Sequence, residues 1–395
     1  MNRRLTNAKH IARRNRIHSV DVLRGFAMVL VILQHSYLSV NMQAIPPLVD
    51  FLLWNMTGLA AVAFVSISGM IYSYFLYTRP DWRLAYRRYA KRAAFLLLAA
   101  HLVINVMSYY FNASGKQYSS GYEAFLSLVV FNFPITDTIA FCLLVAPVFV
   151  IGMCNHRRVA AISAMLLSAV FVRAFVNPVN AGWTILQEAT FGGLGVPRVF
   201  WFPLVPWLAI FLSGSFAGYA LACHKNGTLK VSAMVKRINR GGLLLAGCAA
   251  VLLMGYKVLK MAMGSTWDPH IFLAIYPGQT TALLPGYLAF LALLFAVLLK
   301  EIDISGRYNR LFWILSVFGR TSLFTFVIQF AVVESAPALL GLKGTISLVG
   351  FIFLFAAGSM LTWLSAYFYG RWRGWISEND YAACVKTVRA RFQCA

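Results

Sequence analysis

Arg24 and His35 stand eleven residues apart in the otherwise apolar run DVLRGFAMVLVILQH. Eleven steps of 100° return to within about 20° of the starting face, and a rise of 1.5 Å per residue sets the two side chains about 16 Å apart along a helix axis. A guanidinium is the natural ligand for a phosphate. An imidazole can take a proton from a hydroxyl or an amine near neutral pH. One helix face therefore carries an anion-binding group and a proton-handling group at two depths. The plainer reading of the same residues makes Arg24 an interfacial anchor paired with Asp21, and His35 a packed core residue.

The elements that must position these groups are membrane helices. The 395-residue chain is 60% hydrophobic and only 12% charged, with a mean hydropathy of +0.70, far from the composition of a soluble domain. Its formal charge of +23 does not indicate a nucleic-acid partner, because the Lys and Arg residues sit in short segments between apolar runs and form no continuous basic face. The predicted spans are 22–41, 52–77, 93–112, 136–153, 158–177, 203–223, 242–262, 280–299, 319–340 and 346–370. Each is about long enough to cross a bilayer, and lipid requires helices in which the backbone satisfies itself. Tyr122 to Phe131 and Leu311 to Phe318 are too short to span and read as interfacial or re-entrant helices.

Lys and Arg mark the cytoplasmic side of a membrane protein. Alternate segments of this frame hold 27 of them against 3 in the opposite segments. The expected architecture is an all-α polytopic bundle of about ten transmembrane helices. It forms a single membrane domain over 1–395, with a basic tail at 1–18, a second tail at 371–395, and both termini cytoplasmic. The first helix is expected to be retained, since no small-residue cleavage site follows it. The basic loops and the lack of targeting motifs fit a multi-pass protein of a bacterial inner membrane. Cys142, Cys154, Cys223, Cys248, Cys384 and Cys394 show neither CxxC nor metal-site spacing, so reduced thiols and no metal are expected. Gly214 and Gly218 form a small-xxx-small pair suited to close helix packing, within the chain or between the copies of a homodimer.

Inside the spans lie a few residues that lipid tolerates poorly: Asp21, Arg24, His35, Asn55, His101, Asn105, Asp137, Lys257, Lys260, Arg320, Gln329 and Glu334. The segment RIHSVDVLRGFAMVLVILQH at 16–35 resembles the opening of the transmembrane acyltransferase superfamily, with its Asp, its LRG, and its Arg followed by ten residues and His. Within the superfamily it is most similar to the heparan-alpha-glucosaminide N-acetyltransferase-like group, with the acyltransferase-3 proteins as more distant relatives. FVSISGM at 64–70 with RRYAKR at 87–92, FPLVPWLAIFLSGSFAG at 202–218, and VFGRTSLFTFVIQF at 317–330 are similar in the same order, so the resemblance covers most of the chain.

The resemblance implies transfer of an acyl group, expected to be acetyl, from cytoplasmic acyl-CoA to a hydroxyl or amine of a glycan or lipid-linked acceptor, at or across the membrane. His35 would be the general base or a brief acyl carrier, and Arg24 would bind the coenzyme. Arg88 and Arg92 in the basic segment, and Arg320 in the ninth span, are the further candidates for the donor. Asp137 and Glu334 are the candidate carboxylates for holding the imidazole in its useful tautomer, although Asp137 could equally cap its own helix. Many relatives carry a His where this chain has Gln329, which can hydrogen-bond but cannot shuttle a proton. Asp50, Glu123, Glu188, Asp268 and His270, with Trp183, Trp201 and Trp267, lie in outer segments where an acceptor sugar would bind. A transporter or a lipid or glycan flippase is the competing class, since it also needs a polytopic bundle with a few buried charges.

Overall fold

The computed structural model describes residues 17–41, 43, 45–79, 81–113, 120–130, 132–150, 202, 204–263, 284–377 and 379–392. Helix α1 (His18–Tyr37) is followed by α2 (Pro47–Tyr77), which opens on a proline where no amide partner is needed. Helix α3 (Trp82–Phe95) runs through a π-helical stretch (Leu96–Ala100) into α4 (His101–Ala113). A short α5 (Gly121–Phe125) with its own π stretch (Leu126–Val130) precedes α6 (Ile135–Val150). Then come α7 (Leu204–Lys225), α8 (Val231–Met263), and α9 (Leu284–Leu298) with the π stretch Leu299–Ile304. Helices α10 (Arg310–Arg320) and α11 (Ser322–Gln329) meet at Thr321 and continue through a π stretch (Phe330–Ser335) into α12 (Ala336–Leu339). Helices α13 (Leu348–Trp372) and α14 (Asp380–Phe392) complete the described chain.

Among the described residues the regular structure is helical apart from one isolated bridge between Val40 and Ile346. Seven helical stretches are long and apolar enough to cross a membrane. Helices α6 and α9, at 16 and 15 residues, are shorter than that, and the predicted span 158–177 lies outside the described residues. The stretch from Tyr122 is a short helix, as expected. Leu311 to Phe318 is different. It forms most of α10, one continuous run with α11 and α12, because its glycine-bearing face packs along α1 in the bundle interior.

Caps explain where several helices begin. Asp81 accepts from the amides of Arg83 and Leu84, and Asn309 from that of Phe312, as helix N-termini require. Helix α1 is capped from a distance: the His18 and Ser19 amides donate to the two carboxylate oxygens of Asp303 at 3.1 and 2.9 Å. A negative group there also complements the helix dipole. This contact joins the start of α1 to the π stretch after α9. Asn226 donates to the Tyr77 carbonyl and the Tyr77 hydroxyl to that of Val150, so α2, α6 and α7 end together. The same end holds the basic segments that contain Arg79, Lys225 and Lys300, and it is called the basic end below.

Glycines set the closest approaches in the bundle. A β-carbon on Gly25 would overlap the Leu315 carbonyl, and one on Gly319 would overlap the Asp21 carbonyl. The contact is reciprocal, and it fixes α1 and α10 side by side in one register. Helices α2 and α7 do the same: Gly69 faces the Phe211 carbonyl, and Gly214 and Gly218 face those of Ser66 and Met70. The Gly214 and Gly218 pair is thus engaged within the chain, as small residues between membrane helices commonly are.

Gly25→Ala and Gly214→Ala should each cost about 1–3 kcal/mol, the usual penalty of overpacking where backbone must move. Thermal unfolding in detergent should show a lowered midpoint for both. Gly247→Ala, at a position with open space around it, should leave the midpoint unchanged.

Candidate active site

Arg24 and His35 lie on α1 as the spacing requires, and each meets a residue of the α10–α12 run. Arg24 donates from Nη2 to Ser322 Oγ, and the His35 ring approaches Glu334 Oε1 through Nδ1. An ionised carboxylate only accepts, so this contact suits the tautomer of a neutral imidazole with its proton on Nδ1 and a lone pair on Nε2. The edge of Phe330 packs on the same imidazole, with ring centroids 4.8 Å apart. His35 keeps 15% of its side chain accessible while Glu334 keeps 4%. The imidazole is therefore reachable and the carboxylate beside it is sealed.

The pairing depends on a detail of backbone geometry. From Arg24 to His35 is eleven residues of α-helix, whereas from Ser322 to Glu334 is twelve. The π stretch Phe330–Ser335 takes up the extra residue, since a π turn inserts one residue into an α-helix. Without it Glu334 would point about 100° away.

A cavity opens beside Arg24. Its polar lining comprises Arg24, Arg92, Tyr89, Ser68, Thr136 and Ser322, and its walls are otherwise apolar. The charges of Arg24, Arg79 and Arg92 all bear on the Tyr89 phenol, so positive charge converges at this point. A second cavity shares Arg24 and Ile71 with the first and reaches Ile17, Tyr74 and Leu221 at the basic end. Phe326 also lines the first cavity. Its ring contacts Phe64 at 5.5 Å and Phe330 at 5.1 Å. His35 does not line that cavity, and these three rings stand between it and the pair of arginines.

The remaining expected residues fall elsewhere. Arg88 is exposed on α3 and does not line either cavity. Arg320 is buried against the α14 helix: Nη1 donates to Asp380 at 2.5 Å, and Nη2 to Ser316 at 2.9 Å and to Cys384 at 3.2 Å. Trp313 donates to the same Asp380 carboxylate. Tyr308 donates to Ser316 nearby, and burial pushes its phenol above its usual range. Arg320 thus docks the C-terminal helix and takes no part in lining the cavity. Asp137 was one of two carboxylates expected beside His35. Its Oδ2 is instead held by His101 Nδ1 at 2.6 Å. Asp50 is bonded by Tyr37, and Asn55 accepts from Tyr287. Glu188, Asp268, His270, Trp183, Trp201 and Trp267 lie outside the described residues.

The His101–Asp137 pair belongs to a closed network. Asn105 gives its two amide hydrogens to the carbonyls of Asn132 at 2.7 Å and Val129 at 3.0 Å, and its oxygen accepts from Asn132 at 3.0 Å. The network ties α4, the π stretch after α5 and the start of α6 together. At 9% and 1% accessibility this pair is more enclosed than His35 and Glu334, which marks it as the supporting one. His101→Ala would leave the Asp137 carboxyl without its partner, and breaking such a buried pair costs about 3–5 kcal/mol. Thermal unfolding should fall sharply for His101→Ala.

Sequence reasoning passed over Ser322, Tyr89 and Thr136, because hydroxyls in apolar helices are common and only the fold collects these three around Arg24. Residues 16–258 match the family model of the catalytic region of heparan-alpha-glucosaminide N-acetyltransferase. The match contains Arg24, His35, Arg92, His101 and Asp137, and it ends before Ser322 and Glu334. No curated protein matches the chain. With more than half its length in the match and its helices long enough to cross a membrane repeatedly, the chain belongs to the heparan-alpha-glucosaminide N-acetyltransferase catalytic family and is a multi-pass membrane acetyltransferase.

Proposed function

We propose that this enzyme takes the acetyl group of acetyl-CoA at its basic end, which faces the cytoplasm, and passes it to a hydroxyl or amine of a glycan or lipid-linked acceptor at or across the membrane. The observation that carries the reading is the alignment on α1 of Arg24, at the meeting of two cavities, with His35, held by Glu334. The excess of Lys and Arg at the basic end supports a cytoplasmic orientation. Arg24 and Arg92 are suited to the phosphates of the coenzyme, as charge-assisted donors in a largely apolar cavity. The apolar walls suit the pantetheine arm.

In this reading Glu334 keeps His35 Nδ1 protonated, so that Nε2 accepts the proton of the acceptor group as that group attacks the thioester carbon. The carbonyl electrons move onto oxygen, the carbonyl then re-forms, and the carbon–sulfur bond breaks. The proton on His35 leaves with the coenzyme thiolate, which restores the imidazole. His35 and Glu334 are the catalytic pair. Asp137 contributes through His101 by fixing the packing of α4 and α6, and Arg320 by fixing α14.

The direct test is binding of CoA and acetyl-CoA to the purified protein in detergent, with Arg24→Ala beside wild type. Loss of one charge-assisted contact to phosphate should weaken binding about tenfold or more. No binding by folded wild type would move the reading to transport. His35→Ala should lower transfer by about 10²–10⁴-fold, the usual weight of a general base, and transfer that stays within threefold of wild type would remove the role assigned to His35.

A further inference from the structure

Gln329 is completely buried, at 0% accessibility, and among the described residues neither its amide nitrogen nor its amide oxygen has a hydrogen-bond partner. Leaving a buried amide unsatisfied is costly. A hydrophobic residue of similar size would pack at this position without that cost, so the amide calls for a functional explanation.

Its place in the fold supplies one. Gln329 lies seven residues, or two turns, after Ser322 on α11, and 700° of rotation returns it to within about 20° of the Ser322 face. Ser322 accepts from Arg24 and lines the cavity beside it. On the same side, Phe326 lines that cavity and Phe330 packs on His35. Glu334, which holds His35, follows Gln329 by five residues, one turn of the π stretch. The unpartnered amide therefore sits one turn short of the His35–Glu334 pair, on the helix face that carries Ser322, and it lines neither cavity.

We propose that Gln329 is a further catalytic residue: its amide NH₂ donates to the thioester carbonyl oxygen of the acyl donor and stabilises the negative charge that forms there. The inference rests on the acetyl-transfer reading above and gives that reaction the part it lacked. As the acceptor oxygen or nitrogen bonds to the acyl carbon and its proton passes to His35 Nε2, the carbonyl electron pair becomes an oxyanion. The Gln329 NH₂ holds that oxyanion until the carbonyl re-forms and the carbon–sulfur bond breaks. A preorganised donor in a site without water is worth far more than one in bulk solvent. The donor must be neutral to survive complete burial without a counter-charge, and an amide meets that condition where an ammonium would not. The three phenyl rings then have a consequence: the acyl group must pass Phe326 to reach the amide, and that passage keeps water from the thioester.

The test is Gln329→Met, which keeps the volume and removes both polar atoms, assayed for acetyl transfer and thermal unfolding in the full-length protein. Transfer should fall by about 10²–10³-fold in kcat, the measured weight of one oxyanion donor. KM for acetyl-CoA should stay unchanged, and the unfolding midpoint should hold or rise. A variant that keeps kcat within threefold, or that loses activity together with a lowered midpoint, overturns the proposal and leaves Gln329 a packing residue. Gln329→Asn, which retains the NH₂ one methylene short, should keep more activity than the Met variant, and the reverse order would also overturn it. Wild type that neither binds nor turns over acetyl-CoA would instead refute the acetyl-transfer reading itself. Active wild type with an inactive His35→Ala and a fully active Gln329→Met would refute this inference alone.

Discussion

The reciprocal glycine contact between α1 and α10 is the constraint on which the site depends. Gly25 and Gly319 each admit the other helix's carbonyl where a side chain would hold it away, and two rigid helices in such close contact cannot slide past each other. The residue separations between partners follow from that lock. Arg24 meets Ser322 across 298 positions, and one π turn later His35 meets Glu334 across 299. A π turn in a membrane helix leaves one backbone pairing offset. Its retention between Phe330 and Ser335 makes sense only because a carboxylate has to be rotated onto an imidazole that α1 has already fixed. The Asp303 cap extends the same logic to the start of α1, where an uncapped first turn would let the helix fray at the end nearest Arg24.

Charges inside lipid have to be paired or placed where water reaches them. Three buried pairs among the described residues meet this requirement in distinct ways. Arg320 and Asp380 join a span to the C-terminal helix. His101 and Asp137 stitch three elements through Asn105 and Asn132. His35 and Glu334 show the same chemistry as His101 and Asp137, yet the imidazole of the former remains partly open. A buried ion pair by itself contributes specificity more than stability. Of the two histidine pairs, the one with access is suited to proton transfer, and the closed one is suited to holding helices in place. Gln329 departs from this pattern, as a polar group in the interior with neither a partner nor access.

How much of this was legible in the sequence varied with the kind of constraint. The apolar runs gave most helices to within a few residues, because length and hydropathy are imposed by the bilayer and leave a direct trace. The shared face of Arg24 and His35 followed from the 100° step alone. Their partners did not, since Glu334 and Asp137 offer the same carboxylate and only tertiary packing assigns one to His35 and the other to His101. The π stretches were invisible: FAVVES and LLLAA read as ordinary helix, because the extra residue is imposed by what the neighbouring helix must meet. Leu311 to Phe318 looked too short to span because the apolar run stops at Gly319, and that glycine marks the close contact with α1 that carries the helix onward. Arg320 looked like a ligand for the donor because the docking of Asp380 from the C-terminal helix has no local signature.

Placing the anion site and the base about 16 Å apart on one helix has a further physical consequence. A coenzyme phosphate is strongly hydrated and belongs near the basic end, where Arg24, Arg79 and Arg92 gather around Tyr89 and a second cavity leads outward. The acyl transfer itself is best run away from water, which would otherwise compete with the acceptor. An extended, mostly apolar arm can bridge the two environments only through an apolar passage, and in the proposed reaction the cavity beside Arg24, with its apolar walls reaching Phe326, begins that passage. In the proposed reaction Phe64, Phe326 and Phe330 stand between the cationic cavity and His35; Phe330 meets Phe326 and the imidazole edge to face, and Phe64 meets Phe326 at a tilt. The separation of binding from chemistry is thus a direct result of building both on α1, at depths where the surrounding dielectric differs.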